Sequence, residues 1–474
     1  MRMAPLTPFA SATDIARAVT DGDVTAAEVT TAMLNRVNAE NVSINAFTDV
    51  LAERAMREAH AVDQTRSQGK PLGPLAGVPY AVKNLFDLKG EVTRAGSIIN
   101  LKNQPASQDA DLVDRLRQAG AVCLGALSMG EFAYDFTGEN LHYGACRNPH
   151  DLVRMTGGSS SGSGAATAAG LAPISLGSDT NGSLRVPASL CGVFSLKPTY
   201  GRLSRGGTFP FVDSLDHVGP LARSVSDLTL AYNVLQGSTS RDHACRPDNV
   251  MQISAPVRKD ISQLRIGVLR GWFEDNSTDE ALERRDMVLK TLSAETRIVD
   301  VTLDQAAIGR AAAYIITNAE SSAFHFRTLQ NQADDYDPDT RDRFLAGALL
   351  PAPWVAKAQR VRHWWLNEAL DAFRKCDVML APATPCSAPL IGQKTLNLNG
   401  KESPLRPVLG LLAQPFSCIG LPVVTVPAYS GNSMPLGMQL ISPPWREDLS
   451  LQVAAFLEMS GAVNCSRPAS TVIV

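Results

Sequence analysis

Two segments rich in glycine and serine carry the residue types best suited to chemistry. Seven of the 35 glycines of the chain lie between Gly157 and Gly182, and Thr180-Asn181-Gly182-Ser183 is typical of a turn. Consecutive backbone N–H groups in such a turn can converge on one point and form an oxyanion hole. Ser183, at the end of that turn, is well placed to act as a nucleophile.

A flexible linker and a phosphate-binding loop are the alternatives for the first glycine-rich segment. Linkers are not normally followed at once by a small-residue helix, which we expect over Gly164–Ala169. A Walker loop needs Gly-Lys-Ser/Thr, and this sequence does not follow the glycines. We therefore favour a backbone held close to other groups, which glycine permits.

A serine nucleophile needs a base, and the usual base is histidine. No histidine stands in a recognisable triad motif; the seven are His60, His142, His150, His217, His243, His325 and His363. Lys83 is the alternative, because it lies in the apolar segment Tyr80–Phe86, where loss of hydration would lower its pKa and favour the neutral amine. An edge-strand lysine or an ion-pair partner is the competing interpretation of Lys83.

The segments around these residues alternate between strand and helix. This alternation predicts an α/β fold with a largely buried, mixed sheet. The first seventy residues are predicted to be helical, with a capping box at Thr25 and Glu28. Further helices are predicted over Val50–Gln68, Ala110–Ala119 and Asp279–Leu292, and strands over Tyr80–Phe86, Val122–Gly125, Leu264–Leu269, Thr296–Val301, Asp377–Ala381 and Val423–Pro427.

The length of 474 residues allows about three domains. We predict a single domain over 1–474 instead, because no repeat or composition break divides the chain. Its parts would be a helical N-terminal layer (1–70), a catalytic core (71–236), a linker-like polar loop (237–261) and the remainder of the α/β domain (262–474).

The composition argues against several protein classes. Lys and Arg number 44 against 47 Asp and Glu, and this near-neutral balance is unlike that of a nucleic-acid-binding protein. The N-terminus lacks an apolar signal core, and the apolar stretch 410–429 is broken by Gln414, Pro415 and Pro422. We predict a cytoplasmic protein that binds neither membrane nor nucleic acid directly.

The cysteines do not form a metal or redox motif. No CxxC pair occurs, so we predict free thiols, no metal and no cofactor. The eight are Cys123, Cys146, Cys191, Cys245, Cys376, Cys386, Cys418 and Cys465.

Lys83 within Gly77–Asn84, followed by the long segment Gly157–Thr199, resembles the amidase signature family of Ser-Ser-Lys hydrolases. The likeness extends to Pro435–Ile441 and so covers nearly the whole chain. It implies the amidase signature fold, a large mixed central sheet covered by helices on both faces. It also implies hydrolysis of a linear C–N amide bond.

The resemblance assigns roles to individual residues. Ser183 matches the acylated nucleophile, Ser159 the bridging serine after a cis peptide bond, and Lys83 the general base. The backbone N–H groups of Thr180, Asn181, Gly182 and Ser183 would form the oxyanion hole. Asp179 and Arg185 would hold the turn through structural polar contacts.

The chain departs from the family pattern at three positions. The family commonly has glycine where this chain has Asn181, Ser161 and Ser195. Asn181 keeps its backbone N–H, so the oxyanion hole is preserved. Its side chain is expected to project near the acyl site and to tune specificity.

Several stretches resemble the branch of the family that removes ammonia from carboxylated biurets: Gly130–Tyr134, His142–Gly144, Cys146–Asp151, Asn181 and Gly271–Phe273. The substrate predicted from this likeness is 1-carboxybiuret or a related small carboxylated urea or amide. An anionic substrate needs a cation, for which Arg147 and Arg154 are candidates by sequence proximity. A small helical partner protein, and a homodimer or hetero-oligomer, are also implied.

Three alternatives stay open. Gly201–Gly206 and Ala356–Arg362 resemble the amidase component of a Glu-tRNA(Gln) amidotransferase, whereas Asn181, His150 and Trp354-Val355 differ from it. A broad aryl-amide or carbamate hydrolase is the second alternative. The third is a non-catalytic protein on the same fold, against which the joint presence of the serines and the lysine argues.

Overall fold

The computed structural model describes residues 7–246, 250–254, 260–429 and 433–468. The helices of these residues are α1 Ala12–Asp21, α2 Ala26–Ile44, α3 Ala52–Ser67, α4 Asp111–Gln118, α5 Ser161–Ala168, α6 Arg185–Cys191, α7 Val225–Leu235, α8 Trp272–Asp275, α9 Asp279–Ser293, α10 Ala306–Gln332, α11 Pro338–Ala348, α12 Ala352–Ala372, α13 Leu405–Leu409, α14 Gln414–Cys418 and α15 Glu447–Met459. The strands are β1 Phe47–Val50, β2 Pro79–Lys83, β3 Val122–Leu127, β4 Arg147–Asn148, β5 Asp151–Met155, β6 Ile174–Asp179, β7 Phe194–Lys197, β8 His217–Ala222, β9 Arg265–Arg270, β10 Arg297–Thr302, β11 Val378–Pro382, β12 Thr395–Leu398, β13 Lys401–Pro404, β14 Val423–Ala428 and β15 Leu436–Ile441.

Eleven strands form one mixed sheet, which confirms the predicted α/β class. Their order is β1-β3-β2-β6-β8-β7-β14-β15-β11-β9-β10. The pairs β3–β2, β2–β6, β11–β9 and β9–β10 are parallel, and the others are antiparallel. Two small two-stranded sheets, β4–β5 and β12–β13, stand apart from it.

Apolar side chains on both faces of this sheet are buried beneath helices. Successive strand residues point to opposite faces, and Val424 and Leu440 accordingly belong to one apolar cluster and Val423 and Ile441 to another. Helices α7, α9 and α15 contribute to the first cluster, and α10, α12 and α14 to the second. The predicted covering of both faces by helices is therefore confirmed.

The predicted elements are confirmed in kind, and some of their ends differ. The strand predicted over Tyr80–Phe86 ends at Lys83, because the N–H groups of Leu85 and Phe86 turn back to the Lys83 carbonyl at 2.7 and 3.1 Å. The small-residue helix begins at Ser161 rather than Gly164.

The N-terminal layer is not wholly helical, because β1 pairs with β3 at the edge of the sheet. The predicted capping box is confirmed: Thr25 Oγ1 accepts from the Glu28 N–H at 3.1 Å, and Glu28 Oε2 accepts from the Thr25 N–H at 2.8 Å.

The polar segment 237–261 is only partly described. Residues 237–246, 250–254 and 260–261 form no helix or strand, as a loop requires, whereas 247–249 and 255–259 lie outside the described residues. The single-domain organisation stays a prediction. All eight cysteines are free. No helix in the described ranges is long and apolar enough to cross a membrane.

Candidate active site

Lys83 ends an interior strand of the large sheet. β2 lies between β3 and β6, and the interpretation of Lys83 as an edge-strand lysine is therefore wrong. β2 and β6 are parallel, with Val82 opposite Leu176. Their carboxyl ends meet at the same side of the sheet, which brings Lys83 beside the end of β6 and the turn that follows it.

The Lys83 amine lies among serine hydroxyl groups. Its Nζ is 2.7 Å from Ser159 Oγ, 2.8 Å from Ser178 Oγ and 3.1 Å from Ser160 Oγ, and the lysine is fully buried. Within the described residues Lys83 forms no ion pair, which removes the salt-bridge interpretation as well. A buried amine surrounded by hydroxyl groups can take a proton from one of them.

Burial lowers the pKa of Lys83 from 10.5 to about 7. The cause is loss of hydration, which penalises the charged ammonium. The carboxylates of Asp216, Asp179 and Asp135 oppose the shift from a distance but do not cancel it. A substantial fraction of the neutral amine is therefore present near pH 7.

Ser159 is held by the turn that leads into α5. The peptide bond between Gly158 and Ser159 is cis, as the resemblance implied. The first turn of α5 packs closely on its neighbours: a Cβ at Gly162 would lie 2.3 Å from the Ala46 carbonyl oxygen. The glycine-rich segment is thus a closely packed backbone and not a linker.

Asp179, at the end of β6, organises the turn that carries Ser183. Its carboxylate accepts from the Gly182 N–H at 2.8 Å, from Arg185 Nε at 3.0 Å and from Ser417 Oγ at 2.8 Å. Burial alone would raise the pKa of Asp179, but the Arg185 guanidinium outweighs it and holds that pKa well below its usual range. The predicted contacts of Asp179 and Arg185 are therefore present.

These contacts reduce the number of backbone N–H groups that can form the predicted oxyanion hole. The Gly182 N–H is bound to Asp179 and so is not free for a substrate oxygen. Gly182 has φ +131°, and a Cβ there would lie 2.7 Å from the Ala413 Cβ, so the turn requires glycine. The N–H groups of Thr180, Asn181 and Ser183 are the candidates that remain.

Ser183 opens into a cavity of about 140 Å³. Thr180, Asn181 and Ser183 form one wall. The cavity is lined in full by Ala133, Tyr134, Asp135, Phe136, Thr180, Asn181, Ser183, Phe211, Tyr314, Thr317, Arg343, Arg406, Pro407 and Gln414. No histidine of the described chain is among them, in line with a lysine base.

The cations of the cavity are not the predicted ones. Arg147 donates to the Leu152 carbonyl, and Arg154 bonds Asp151 and the Ala388 carbonyl, and neither lines the cavity. The prediction that one of them faces the substrate is wrong. Arg343 and Arg406 line the cavity instead.

The two cavity arginines differ in their partners. Arg406 pairs with Asp135 at 3.2 Å and with Asp339 at 2.9 Å. Arg343 donates to the Tyr134 carbonyl at 3.0 Å and lies 4.4 Å from the Tyr134 ring centroid, and within the described residues it has no carboxylate partner. Arg343 is therefore a cavity arginine that forms no ion pair with the described residues.

Sequence reasoning missed two kinds of site residue. Ser160 and Ser178 contact Lys83, and their place in glycine- and serine-rich segments was the available signal. Thr317, Arg343 and Arg406 come from distant helices and carry no motif, so only the fold reveals them.

The sequence pattern of the Amidase family matches residues 28–451. The chain belongs to this family. The amidase is therefore an enzyme that hydrolyses carbon–nitrogen amide bonds.

Known relatives and solved structures resemble the amidase over almost their full length. AtzE of Pseudomonas sp. (strain ADP), which forms part of 1-carboxybiuret hydrolase, is 50% identical, over 94% of this chain and 98% of that protein. A glutamyl-tRNA(Gln) amidotransferase subunit of Chloroflexus aurantiacus is 35% identical, over 95% and 96%. A solved vestigial protein complex, described as revealing the evolutionary origins of an s-triazine catabolic enzyme, contains a chain with TM-score 0.94 and 48% identity, covering 96% of this chain and 100% of its own.

Proposed function

We propose that the amidase cleaves a small linear amide through an acyl-enzyme on Ser183, with Ser159 and Lys83 as the proton relay. The observation that carries this proposal is the 2.7 Å contact between Lys83 Nζ and Ser159 Oγ at a fully buried position. A buried amine whose pKa lies at about 7 is partly neutral near pH 7, which suits a general base.

The relay moves protons in a balanced cycle. Neutral Lys83 takes the Ser159 proton while Ser159 Oγ takes the proton of Ser183, whose oxygen bonds to the amide carbonyl carbon. The N–H groups of Thr180, Asn181 and Ser183 stabilise the oxyanion. The C–N bond then breaks, the proton returns through Ser159 to the leaving nitrogen, and water releases the acid by the reverse relay.

The proposed base predicts the pH dependence of the reaction. Because the neutral amine is the active form, we expect kcat/KM to rise roughly tenfold per pH unit below pH 7 and to level off above it. Ammonia release measured from pH 5 to 9 gives the profile.

Lys197 is the matched control for that profile. Its amine is also fully buried, with its pKa lowered by burial to about 7, but it does not line the cavity. Lys197→Met should leave the midpoint of the kcat/KM profile near pH 7. A midpoint that disappears in this variant would contradict the assignment to Lys83.

We propose 1-carboxybiuret, or a related small carboxylated urea or amide, as the substrate, with release of ammonia. The relative that is 50% identical carries that substrate in its name. Arg343, without a carboxylate partner in the described chain, offers a charge for an anionic substrate. The cavity of about 140 Å³ suits a small molecule.

Replacing Arg343 by glutamine should selectively lower the kcat/KM for the anionic substrate. We expect kcat/KM to fall about 10- to 100-fold for carboxybiuret and only a few-fold for biuret, because a charge-assisted hydrogen bond is lost only with the carboxylate. Arg154→Gln is the control, since Arg154 lies outside the cavity. Equal losses for both substrates would argue against Arg343 as the anion site.

A substrate panel separates the proposal from the amidotransferase alternative. Ammonia release is compared for carboxybiuret, biuret, glutamine, malonamide and anilides. Preference for glutamine, tied to a tRNA-binding partner, would overturn the proposed substrate. Preference for anilides would favour the aryl-amide alternative.

We also propose that the amidase works in the cytoplasm with a small helical partner protein, in a hetero-oligomer. AtzE and the amidotransferase relative are both named as subunits, which supports an assembly. Co-purification from the native cell with a small, separately encoded protein is the expected result, and a lone chain with full activity would contradict it.

A further inference from the structure

Asn181 lines the cavity, and its side chain has a buried acceptor atom without a hydrogen-bond partner. Asn181 is only 5% exposed, and its Nδ2 donates to Thr317 Oγ1 at 2.9 Å. Its Oδ1 is buried and has no hydrogen-bond partner. A buried polar atom left unpaired costs about 1–3 kcal/mol, so most such atoms in proteins have a partner.

The position of this atom indicates what its partner is. Among the buried, unpartnered side-chain atoms of the described residues, Asn181 Oδ1 alone belongs to a residue that lines the cavity of Ser183. Thr317, on α10, also lines the cavity and engages the amide nitrogen of Asn181. The oxygen is then the atom that remains for a ligand, and an amide oxygen can only accept.

We infer that Asn181 Oδ1 accepts a hydrogen bond from an N–H on the retained side of the reacting carbonyl, and that the amidase thereby selects ureas and biurets over carbon amides. The inference rests on the proposed acyl-enzyme at Ser183. Ser183 is two residues from Asn181, and both line one cavity.

The chemistry of the two substrate classes explains the selection. A urea carbonyl carries two nitrogens: one leaves as the amine, and the other stays on the acyl group with its N–H. A carbon amide has a CH₂ in the second place and cannot satisfy Asn181 Oδ1. A site built around a substrate N–H rejects the analogue that lacks it, because its own polar atom stays unpaired.

Biuret and malonamide test the inference directly, since they differ only in a central N–H against CH₂. The readout is the ratio of their kcat/KM values, measured by ammonia release. Their different intrinsic reactivities cancel when a variant is compared with wild type. We expect Asn181→Ala to lower the biuret-to-malonamide ratio about 10- to 100-fold.

Two further variants separate recognition from damage to the fold. Asn181→Asp keeps acceptor oxygens in the same shape and should hold the ratio within a few-fold of wild type. Thr317→Val removes the partner that orients the amide and should lower the ratio. Inhibition constants of the same pair against carboxybiuret hydrolysis give a second measure that needs no turnover of either compound.

An unchanged ratio in Asn181→Ala, with turnover retained, overturns the inference and leaves the acyl-enzyme proposal standing. A wild-type protein that hydrolyses no amide of the panel overturns both. A ratio that falls equally in Asn181→Asp and Asn181→Ala also overturns the inference, because the acceptor would then be irrelevant.

Discussion

Replacing Ser183 by alanine is expected to lower the rate of amide hydrolysis by about 10⁴-fold or more, because the acyl-enzyme cannot form without the Ser183 oxygen. Ser183 is buried and lines the cavity, so its loss removes one oxygen from a pocket that the surrounding residues still define. We expect the fold and the binding of small amides to persist, with the loss confined to kcat.

A serine-directed acylating probe checks this result independently of the substrate. Mass spectrometry of the intact wild-type protein should show one added acyl group, mapped to Ser183, and Ser183→Ala should show none. Ser160→Ala is the control, because Ser160 contacts Lys83 but does not line the cavity. Retained hydrolysis in Ser183→Ala, or its continued labelling, would contradict the nucleophile assignment.

Replacing Lys83 by methionine is expected to lower kcat by roughly 10²–10⁴-fold, the usual contribution of a general base. Methionine fills much of the same buried space without an amine. Ser159→Ala should cost a similar factor, since Ser159 carries the proton between Lys83 and Ser183. The double variant should lose little more than either single one, because the members of a relay act as a unit.

The other two serines on Lys83 are the matched controls for this prediction. Ser160 Oγ and Ser178 Oγ lie 3.1 and 2.8 Å from the same Nζ. If the proton passes through Ser159 alone, Ser160→Ala and Ser178→Ala should each cost less than about tenfold. A loss in either that equals the loss in Ser159→Ala would show that the proton takes a different path.

The alternation of local sequence patterns predicted the fold class, whereas the proposed proton relay came from the resemblance to the amidase signature family. The apolar segment Tyr80–Phe86 predicted a strand that carries Lys83, and the Thr180–Ser183 turn was predicted without the strand β6 that leads into it. The strand and the turn are local features, whereas the Lys83–Ser159 contact joins residues 76 positions apart. The alternation of strands and helices likewise predicted the mixed sheet, because each element buries one face against the next.

The part of the cavity lining that lies far from Ser183 in sequence could not be predicted in the same way. Thr317, Arg343 and Arg406 lie on α10, α11 and α13, and only the packing of these three helices brings them to the cavity. Sequence proximity favoured Arg147 and Arg154, which the small β4–β5 sheet carries away from Ser183. The Gly182 N–H was counted among the oxyanion donors because the sequence does not show which N–H group of the turn the Asp179 carboxylate binds.

The proton relay and much of the cavity lining come from different parts of the chain. In the proposed mechanism bond breaking depends on Lys83, Ser159 and Ser183, whereas part of the cavity lining comes from residues between Tyr314 and Gln414. Substitutions can therefore alter the later part of the cavity lining while the relay residues stay constant. Substitutions on α10 and the helices after it are therefore the ones that we expect to change which small nitrogen compound is hydrolysed.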